Sequence, residues 1–285
     1  MKLSDAEIRA AVKTALAEDL GSGDVTSLAT LPATATFSVV MRPREPMVLA
    51  GLAFAETAFR SLSSKVRIKR CARDGQQLKA GAALLKISGP ARAILSAERV
   101  ALNFVQRLSG VASLTAKFVA EVKDTRAQIL DTRKTTPGWR RFEKYAVQCG
   151  GGRNHRLGLF DLVLIKDNHI VAAGGITQAV RMCNEYLRGE QSEVKIEVET
   201  KNLTEVQEAL QCAGIHRIML DNFQLDEMRK AVELIAHKCE VEASGGVTLQ
   251  TVRSIAETGV DFISVGALTH SVKGLDISLE LHHVR

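Results

Sequence analysis

The sequence predicts an α/β fold class in which an α+β N-terminal domain is followed by an incomplete, irregular β/α barrel. After about residue 125, short apolar runs alternate with helical patterns, as in the strand–helix units of a buried parallel sheet. From Glu199 to Asp221 is 22 positions, from Asp221 to Ser244 is 23, and from Ser244 to Gly266 is 22. Each interval is about the length of one strand-plus-helix unit, which indicates a regularly repeating barrel.

The N-terminal domain is predicted to span residues 1–112. Ser4 with Glu7 three positions later forms a capping box for the first helix, and Gly21 ends that helix. Short β-branched runs separated by Pro, Gly and charged turns then predict the strands TFSVVMR, MVLAG, KVRIKR and ALLKISG, with LAFAETAFRSL as an interposed helix. From near Ser96, apolar residues at helical spacing predict a long helix that joins the two halves.

The open barrel is predicted to span residues 113–274 and to carry the active site, with the tail 275–285 packing on the N-terminal domain. Its strand candidates are QILDTRK, LVLIKDNH, VKIEVET, RIMLDNF, VEASGG and FISVGAL. Each contains a short apolar run that leads into a polar residue or glycine. In a β/α barrel the carboxyl ends of the strands form the rim on which active sites are assembled. Six candidates instead of eight predict that the barrel is incomplete.

Composition limits the classes of partner. The chain has 285 residues, 46% of them apolar, which is enough to bury a full core. The net charge of +6 raises the question of nucleic-acid binding, but there are only two Tyr and one Trp and no long basic block, so we interpret the charge as serving anionic metabolites. No apolar run predicts a membrane span or a signal core. Five scattered cysteines without a CxxC pair predict a cytoplasmic protein.

A dense group of cations lies between residues 131 and 169, around glycine turns and the ends of apolar runs. Its members are Arg133, Lys134, Arg153, His155, Arg156 and Lys166. Guanidinium groups pair bidentately with carboxylates and phosphates, and each charge-assisted bond contributes roughly 1.5–3 kcal/mol. The group therefore predicts a small ligand that carries several negative charges. The alternative for Arg133 and Lys134 is a solvated surface pair.

Lys166 follows four apolar residues of a predicted central strand, where an unpaired ammonium would be costly. Either it lies at the mouth of the barrel or it has an anionic partner, which could be the adjacent Asp167 or a ligand phosphate or carboxylate.

Carboxylates end two neighbouring predicted strands. Alternation places Glu197 and Glu199 on the same side of one strand, and Asp221 ends the next. These carboxylates could hold a divalent metal through water, accept hydrogen bonds from ribose hydroxyls, or only neutralise nearby cations. All three possibilities remain open from the residues alone.

Glycines follow the last two predicted strands. Ser244, Gly245 and Gly246, with Gly266 one unit later, match the phosphate site that barrels build after their final strands. The alternative is a purely conformational role for these glycines.

The motifs together resemble those of a known enzyme family. The resemblance rests on EDLGSGDVTS, ERVALNFVQRLSG, DTRKTTPG, EKYAV, GGGRNHR, LIKDNH, IEVETKNL, IMLDNF, EASGGV and DFISVGALTH. In this order, over nearly the whole chain, they resemble the quinolinate phosphoribosyltransferases, the nicotinate-nucleotide pyrophosphorylases (carboxylating) of NAD biosynthesis. The resemblance implies a type II phosphoribosyltransferase-like fold.

It also implies the reaction. The substrates would be quinolinate, which is pyridine-2,3-dicarboxylate, and 5-phosphoribosyl 1-pyrophosphate with Mg²⁺, and the products nicotinate mononucleotide, CO₂ and pyrophosphate. The enzyme would be a homodimer in which the small domain of one subunit covers the barrel of the other. Arg107 of QRLSG would then reach across the interface into the partner's site.

The resemblance further implies a role for each candidate residue. The two carboxylates of quinolinate would be clamped by Arg107, Arg133, His155, Arg156 and Lys166. Pyrophosphate would be approached by Lys134 and His270. Metal, through water, and ribose would be addressed by Glu199 and Asp221. The 5-phosphate would be held by Ser244, Gly245, Gly246 and Gly266. The catalytic set would be Lys134, Lys166, Glu199 and Asp221.

Three rival functions are also compatible with the sequence. A molybdenum-transport-associated paralogue resembles the same family, although DTRKTTPG and GGGRNHR favour the pyrophosphorylase. A nicotinate phosphoribosyltransferase would bind a monocarboxylate and need fewer cations. A non-catalytic phosphosugar- or dicarboxylate-binding barrel would bind without turnover.

Overall fold

The computed structural model describes residues 1–284, with side chains up to residue 281. The chain divides into two compact units. The first contains Met1–Ala116, Arg141–Gly151 and the segment from Ser271 onward, and the second contains Lys117–Arg140 and Gly152–His270.

The elements of the first half are, in chain order, α1 (Asp5–Leu20), α2 (Val25–Thr30), β1 (Thr36–Pro43), β2 (Met47–Val48), α3 (Leu52–Leu62), β3 (Arg67–Arg70), β4 (Gln77–Leu78), β5 (Leu85–Pro90) and α4 (Ala91–Glu121). Those of the second half are β6 (Gln128–Leu130), α5 (Arg140–Cys149), β7 (Val163–Ile165), α6 (Asp167–Ala173), α7 (Ile176–Gly189), β8 (Ile196–Thr200), α8 (Leu203–Leu210), β9 (Ile215–Asp221), α9 (Leu225–Ile235), β10 (Glu240–Ser244), α10 (Val252–Ala256), β11 (Phe262–Ser264), α11 (Ala267–His270) and β12 (Ile277–Val284).

The first helix begins and ends where the sequence predicts. The Ser4 hydroxyl accepts from the backbone N–H of Glu7 at 3.3 Å, and the Glu7 carboxylate accepts from the backbone N–H of Ser4 at 2.9 Å. Gly21 is the C-cap, with a φ of +50° that favours glycine. The predicted capping box and helix end are confirmed.

The first unit contains an antiparallel sheet in the order β12-β1-β5-β3 and the small pair β2-β4. The C-terminal strand β12 lies along β1, with Pro43 opposite Ile277. Residues of β1 that point into the unit are buried, including Val39 and Met41. The tail of the chain is thus part of the sheet of the first unit.

The helix α5 also belongs to the first unit, although the predicted division at residues 113–274 placed it in the barrel. The ring of Phe142 lies edge-on to that of Phe54 in α3, with 5.0 Å between the centroids. The Tyr145 hydroxyl donates to Asp74 at 2.7 Å. These contacts group α5 with α3 of the first unit.

Within residues 1–284, the second unit contains a six-stranded sheet in the order β6-β11-β10-β9-β8-β7. Every pairing in it is parallel. The predicted α/β class with an incomplete barrel is therefore confirmed. The strands β6 and β7 are the two edges, and an isolated bridge between Leu130 and Arg153 extends the β6 edge.

The pairing register between neighbouring strands determines which residues lie together at the carboxyl edge of the sheet. Asp221, the last residue of β9, pairs with Ser244, the last residue of β10. Glu199 of β8 pairs with Met219 of β9. The polar residues that end the strands therefore lie side by side at the carboxyl edge of the sheet. Among the described residues, no helix is both long and apolar enough to cross a bilayer.

Candidate active site

A cavity of about 700 Å³ lies in the second unit at the carboxyl ends of the strands. Of the predicted site residues, it is lined by Arg133, Lys134, His155, Arg156, Lys166, Glu199, Asp221, Ser244, Gly245, Gly246, Gly266 and His270. The cations, carboxylates and glycines that the sequence scatters over more than a hundred positions thus surround one space. Arg107, the remaining predicted site residue, lies on α4 in the first unit.

A buried carboxylate holds the GGGRNHR loop against the end of β6. Asp131, which is fully buried, accepts from the backbone N–H of His155 at 2.9 Å and from Nδ2 of Asn154 at 2.6 Å. Both bonds fix the loop just after its glycines. The loop therefore presents His155 and the adjacent Arg156 to the cavity.

Like charges are crowded on this side of the cavity. Arg156 is half-buried, and its Nη1 donates to the carbonyl of Leu162 at 3.2 Å. Burial, followed by the charge of Arg133, lowers the pKa of Arg156. A guanidinium that is disfavoured by its surroundings is stabilised when an anion enters, so the arrangement favours an anionic ligand.

Lys134 and His270 flank Gly266. The Thr269 hydroxyl donates to the carbonyl of Lys134 at 2.6 Å, which ties the loop after β6 to α11. A Cβ on Gly266 would lie 3.1 Å from Nε2 of His270 and 3.2 Å from Cδ of Lys134. The bare Cα of Gly266 thus allows both basic side chains to approach the strand end.

Lys166 pairs with Glu199 across the neighbouring strand ends. Its Nζ donates to Oε2 of Glu199 at 2.5 Å, and the Lys166 side chain is 43% exposed whereas that of Glu199 is 9% exposed. The alternative partner Asp167 is wrong, because Asp167 accepts from Lys201 at 3.0 Å instead. Lys166 is therefore partly exposed to the cavity and uses one of its ammonium N–H groups to bind the nearly buried carboxylate of Glu199.

The loops after β9 and β10 are joined to each other. The backbone N–H of Asn222 donates to the carbonyl of Ser244 at 2.8 Å, and Nδ2 of Asn222 donates to Asp221 at 3.0 Å. Gly245 has a φ of +99°, in the left-handed region that favours glycine. Successive glycines in such a loop let backbone N–H groups approach an anion closely.

A buried charged cluster lies at the inner end of the cavity. Nε2 of His155 is 3.2 Å from Oε2 of Glu197 and 3.5 Å from Oε1 of Glu242. Nη1 of Arg217 donates to Oε2 of Glu242 at 2.8 Å, and its guanidinium lies 4.1 Å from the ring centroid of Phe262. Both glutamates are fully buried.

The pKa of both glutamates is raised to about 7. Burial is the main cause for each, and the charge of Glu197 raises the pKa of Glu242 further. Interactions with His155 and Arg217 act in the opposite direction and lower the pKa of Glu242. A carboxyl group that is buried beside another carboxylate holds its proton more tightly than one in water.

Several lining residues were not predicted from the sequence. They are Thr132, Leu164, Met219, Asn222, Glu242, Val247, Thr248, Ser264 and Ala267. For Glu242 there was a signal, a carboxylate between Val241 and Ala243 in an apolar strand. Alternation places it on the face opposite to its apolar neighbours, but nothing in the sequence identifies the residues that surround it.

Comparison with known proteins agrees with the motifs. A model of the family "Quinolinate phosphoribosyl transferase, N-terminal domain" matches residues 24–109, and its C-terminal counterpart matches residues 111–280. A chloroplastic nicotinate-nucleotide pyrophosphorylase [carboxylating] of Arabidopsis thaliana is 47% identical, over 96% of this chain and 83% of the relative. A probable nicotinate-nucleotide pyrophosphorylase [carboxylating] of Bacillus subtilis is 42% identical, over 93% of this chain and 90% of the relative.

The fold is also similar to a solved structure. The nicotinate-nucleotide pyrophosphorylase from Francisella tularensis superposes with a TM-score of 0.92 and 39% identity, covering 99% of this chain and 98% of that one. Because the family models match both parts of the sequence and the relatives are similar over nearly its full length, the chain belongs to the quinolinate phosphoribosyl transferase family.

Proposed function

We propose that this protein transfers the phosphoribosyl group of 5-phosphoribosyl 1-pyrophosphate to the nitrogen of quinolinate, with loss of CO₂. The products are nicotinate mononucleotide and pyrophosphate. One observation carries the proposal: a single cavity of about 700 Å³ is lined both by a cluster of cations and by glycine loops. Such a cavity suits two anionic reactants held together.

The cationic side suits a dicarboxylate. Arg133 and Arg156 border the cavity, and the pKa of Arg156 is lowered by burial and by the charge of Arg133. Two adjacent carboxylates would relieve this repulsion, and planar guanidinium groups bind carboxylates in a bidentate geometry. Lys166 would add a further donor from the strand end. A monocarboxylate would leave part of this charge uncompensated.

The glycine side suits a phosphate. Ser244, Gly245 and Gly246 follow β10, and Gly266 follows β11. Backbone amides at the ends of barrel strands bind phosphate where no Cβ blocks the approach. We assign the 5-phosphate of the ribose to this loop pair, and we assign Lys134 and His270 to the pyrophosphate.

The residues fit a magnesium ion. Glu199 and Asp221 line the cavity and offer carboxylate oxygens, the donors that Mg²⁺ prefers, and the ion commonly retains waters between itself and the protein. We propose that these two residues hold Mg²⁺ through water. When bound, the ion supplies positive charge that stabilises the departing pyrophosphate.

The chain's own contribution is positioning and electrostatics. The cationic side would orient the pyridine nitrogen toward C1 of the ribose, and Lys134 would stabilise the negative charge that develops on pyrophosphate. Glu199 and Asp221 would stabilise positive charge on the sugar. Once the nitrogen is quaternised, the carbanion left by CO₂ is stabilised by the adjacent positive nitrogen, so no protein nucleophile is needed.

The direct test is turnover. Purified protein incubated with quinolinate, 5-phosphoribosyl 1-pyrophosphate and Mg²⁺ should form nicotinate mononucleotide and CO₂ in equal amounts, measured by liquid chromatography and ¹⁴CO₂ release from labelled substrate. Tight binding of both substrates without product would instead identify a non-catalytic barrel.

We also propose that the protein is a homodimer in which Arg107 completes the partner's site. In the first unit, Nη2 of Arg107 donates to the buried Glu143 at 2.7 Å and Nη1 donates to the carbonyl of Val272 at 3.0 Å. The Arg107 side chain is still 28% exposed. A guanidinium that is oriented at its base and open at its surface suits contact with another molecule.

Mixed dimers test this arrangement. Equimolar subunits with Arg107→Ala and Arg133→Ala, each nearly inactive alone, should recover about a quarter of wild-type activity after subunit exchange, because half of the dimers then contain one intact site. A mixture of Arg133→Ala with Arg156→Ala is the control, since both residues line the same barrel and no intact site can form. Absence of recovery in the first mixture would contradict a shared site.

We further propose a cytoplasmic location. Cys71, Cys149, Cys183, Cys212 and Cys239 are all free thiols in the structure. Free thiols suit a reducing compartment. Immunofluorescence or fractionation of the source cells would test the location.

A further inference from the structure

Glu242 is an acidic residue of the cavity lining to which the proposed substrate contacts assign no role. Glu242 lines the cavity, is fully buried, and has a carboxylate oxygen, Oε1, without a hydrogen-bond partner. Its other oxygen, Oε2, accepts from Arg217 at 2.8 Å. One oxygen is therefore fixed by the sheet, and the other is buried without a hydrogen-bond partner on the side that faces His155.

Charged and polar groups reach Glu242 from each side. Glu197 approaches from β8, Arg217 from β9, the Ser264 hydroxyl from β11, and His155 from the loop after α5. Glu197 also has both carboxylate oxygens buried without a hydrogen-bond partner. Two carboxylates share this space with one guanidinium, so one proton held between them relieves the repulsion.

A metal ion is the other occupant that His155, Glu197 and Glu242 suggest, since their ligand atoms lie within 4.8 Å of one another. The hydrogen bonding of His155 argues against it. Nδ1 of His155 accepts from the backbone N–H of Arg156 at 2.6 Å, so the ring hydrogen of the neutral form lies on Nε2. An Nε2–H that faces the two carboxylates has no lone pair to offer a metal ion.

The proposed reaction needs a proton at this place. Loss of CO₂ breaks the bond between C2 of the pyridine and its carboxylate carbon and leaves the electron pair on C2. The product carries hydrogen at C2, so each turnover takes up one proton there. Among the other proton donors that line the cavity, Lys134 and His270 are assigned to the pyrophosphate and Lys166 is bonded to Glu199. The Nε2 atom of His155 faces Glu197 and Glu242.

We propose that Glu242 is the acid that delivers this proton, an inference that rests on the proposed function. The O–H bond of Glu242 breaks as the C2–H bond forms, and the carboxyl group becomes a carboxylate. Glu242 is then a second anion beside Glu197, with Arg217 as the shared counter-ion. The resulting repulsion drives Glu242 to take a proton from water in the cavity, which restores the acid for the next turnover.

The test compares two neutral isosteres on the same strand. Glu240 also accepts from Arg217, at 2.8 Å, but its side chain is 36% exposed and it does not line the cavity. Glu242→Gln should lower kcat about a hundredfold, as expected for loss of a general acid, with KM for both substrates within about threefold of wild type. Glu240→Gln should retain kcat within about twofold, because it disturbs Arg217 without removing the acid.

An isotopic readout separates proton delivery from structural damage. Wild type and Glu242→Gln are each run with quinolinate in a 1:1 mixture of H₂O and D₂O, and the deuterium fraction at C2 of nicotinate mononucleotide is measured by mass spectrometry. We expect different fractions, since water replaces the carboxylic acid as the donor in the variant. A lower kcat with an unchanged deuterium fraction would assign Glu242 a structural role and overturn the proposal, as would an unchanged kcat.

A second readout does not depend on turnover. Because the pKa of Glu242 is raised from the ordinary 4.5 to about 7, its contribution to stability is present at low pH and is lost as pH rises through that window. Glutamine does not ionise, so the Tm of Glu242→Gln relative to wild type should be higher at pH 8 than at pH 5. A difference that is constant with pH would mean that Glu242 carries no proton to deliver. If wild type forms no nicotinate mononucleotide, the proposed function fails, and the donor role fails with it.

Discussion

Replacing Arg133 with alanine should lower kcat/KM for quinolinate about a hundredfold or more. A bidentate guanidinium–carboxylate pair contributes two charge-assisted bonds of roughly 1.5–3 kcal/mol each, and a factor of ten corresponds to about 1.4 kcal/mol. The loss should be largest in KM if Arg133 only binds, and should extend to kcat if it also orients the pyridine nitrogen. Steady-state kinetics with quinolinate as the varied substrate measures both constants.

Two comparisons define the role of Arg133. Arg181→Ala removes a guanidinium that is 63% exposed on α7, and it should leave kcat/KM within about twofold. Arg133→Lys keeps the positive charge but not the forked guanidinium geometry, so it should lower kcat/KM by an intermediate amount. If Arg133→Ala turns over quinolinate nearly as fast as wild type, Arg133 is no part of the carboxylate clamp.

Replacing Gly245 with alanine should raise KM for 5-phosphoribosyl 1-pyrophosphate at least tenfold. Gly245 has a φ of +99°, and an added Cβ would overlap Oδ1 and Cγ of Asn222. Because that side chain also donates to Asp221, the clash would displace both the phosphate loop and the carboxylate next to it. A φ in this region alone costs an alanine about 1–2 kcal/mol.

The control for Gly245→Ala is Gly174→Ala. Gly174, the C-cap of α6, has a φ of +88°, nothing within 4 Å of an added Cβ, and no place in the cavity lining. Both variants should lower Tm through backbone strain, but only Gly245→Ala should change KM for 5-phosphoribosyl 1-pyrophosphate. Equal KM values in the two variants would remove Gly245 from the phosphate site.

The rim of the barrel could be predicted because the strand-plus-helix units that form it repeat at nearly constant length. Each buried parallel strand has nearly the same length and each covering helix returns the chain by the same distance, so the strand ends recur at nearly constant intervals. The pairing of Asp221 with Ser244 is the register that this periodicity predicts. Apolar runs ending in a polar residue or glycine were therefore sufficient to place the strands and their rim.

Pairing between charged residues could not be read from the sequence in the same way. Lys166 has a carboxylate next to it in Asp167, but its partner is Glu199, 33 positions later. Lys166 follows the last residue of β7 whereas Asp167 begins α6, so the two adjacent residues belong to different elements, and the choice among distant carboxylates depends on the strand register. The cluster of His155, Glu197 and Glu242 was not predicted for the same reason.

The placement of α5 was not predicted because it follows from side-chain packing. Its sequence between two loop motifs fits the strand–helix alternation of the barrel, which favours placing it in the second unit. Phe142 and Tyr145 instead find their partners in Phe54 and Asp74 of the first unit. An aromatic pair and a single hydrogen bond leave no signature in the periodicity of either segment.

The bridge between Leu130 and Arg153 also bears on aggregation, because it covers part of an edge strand. β6 is an edge strand, and the unpaired backbone of an edge strand is a template for pairing between chains. The N–H of Arg153 donates to Ile129 at 2.8 Å and its carbonyl accepts from Asp131 at 3.1 Å, so the glycine loop occupies part of that edge. Variants that loosen this loop are therefore a risk for aggregation during expression, and a low yield of such variants would reflect an uncovered strand as much as a damaged cavity.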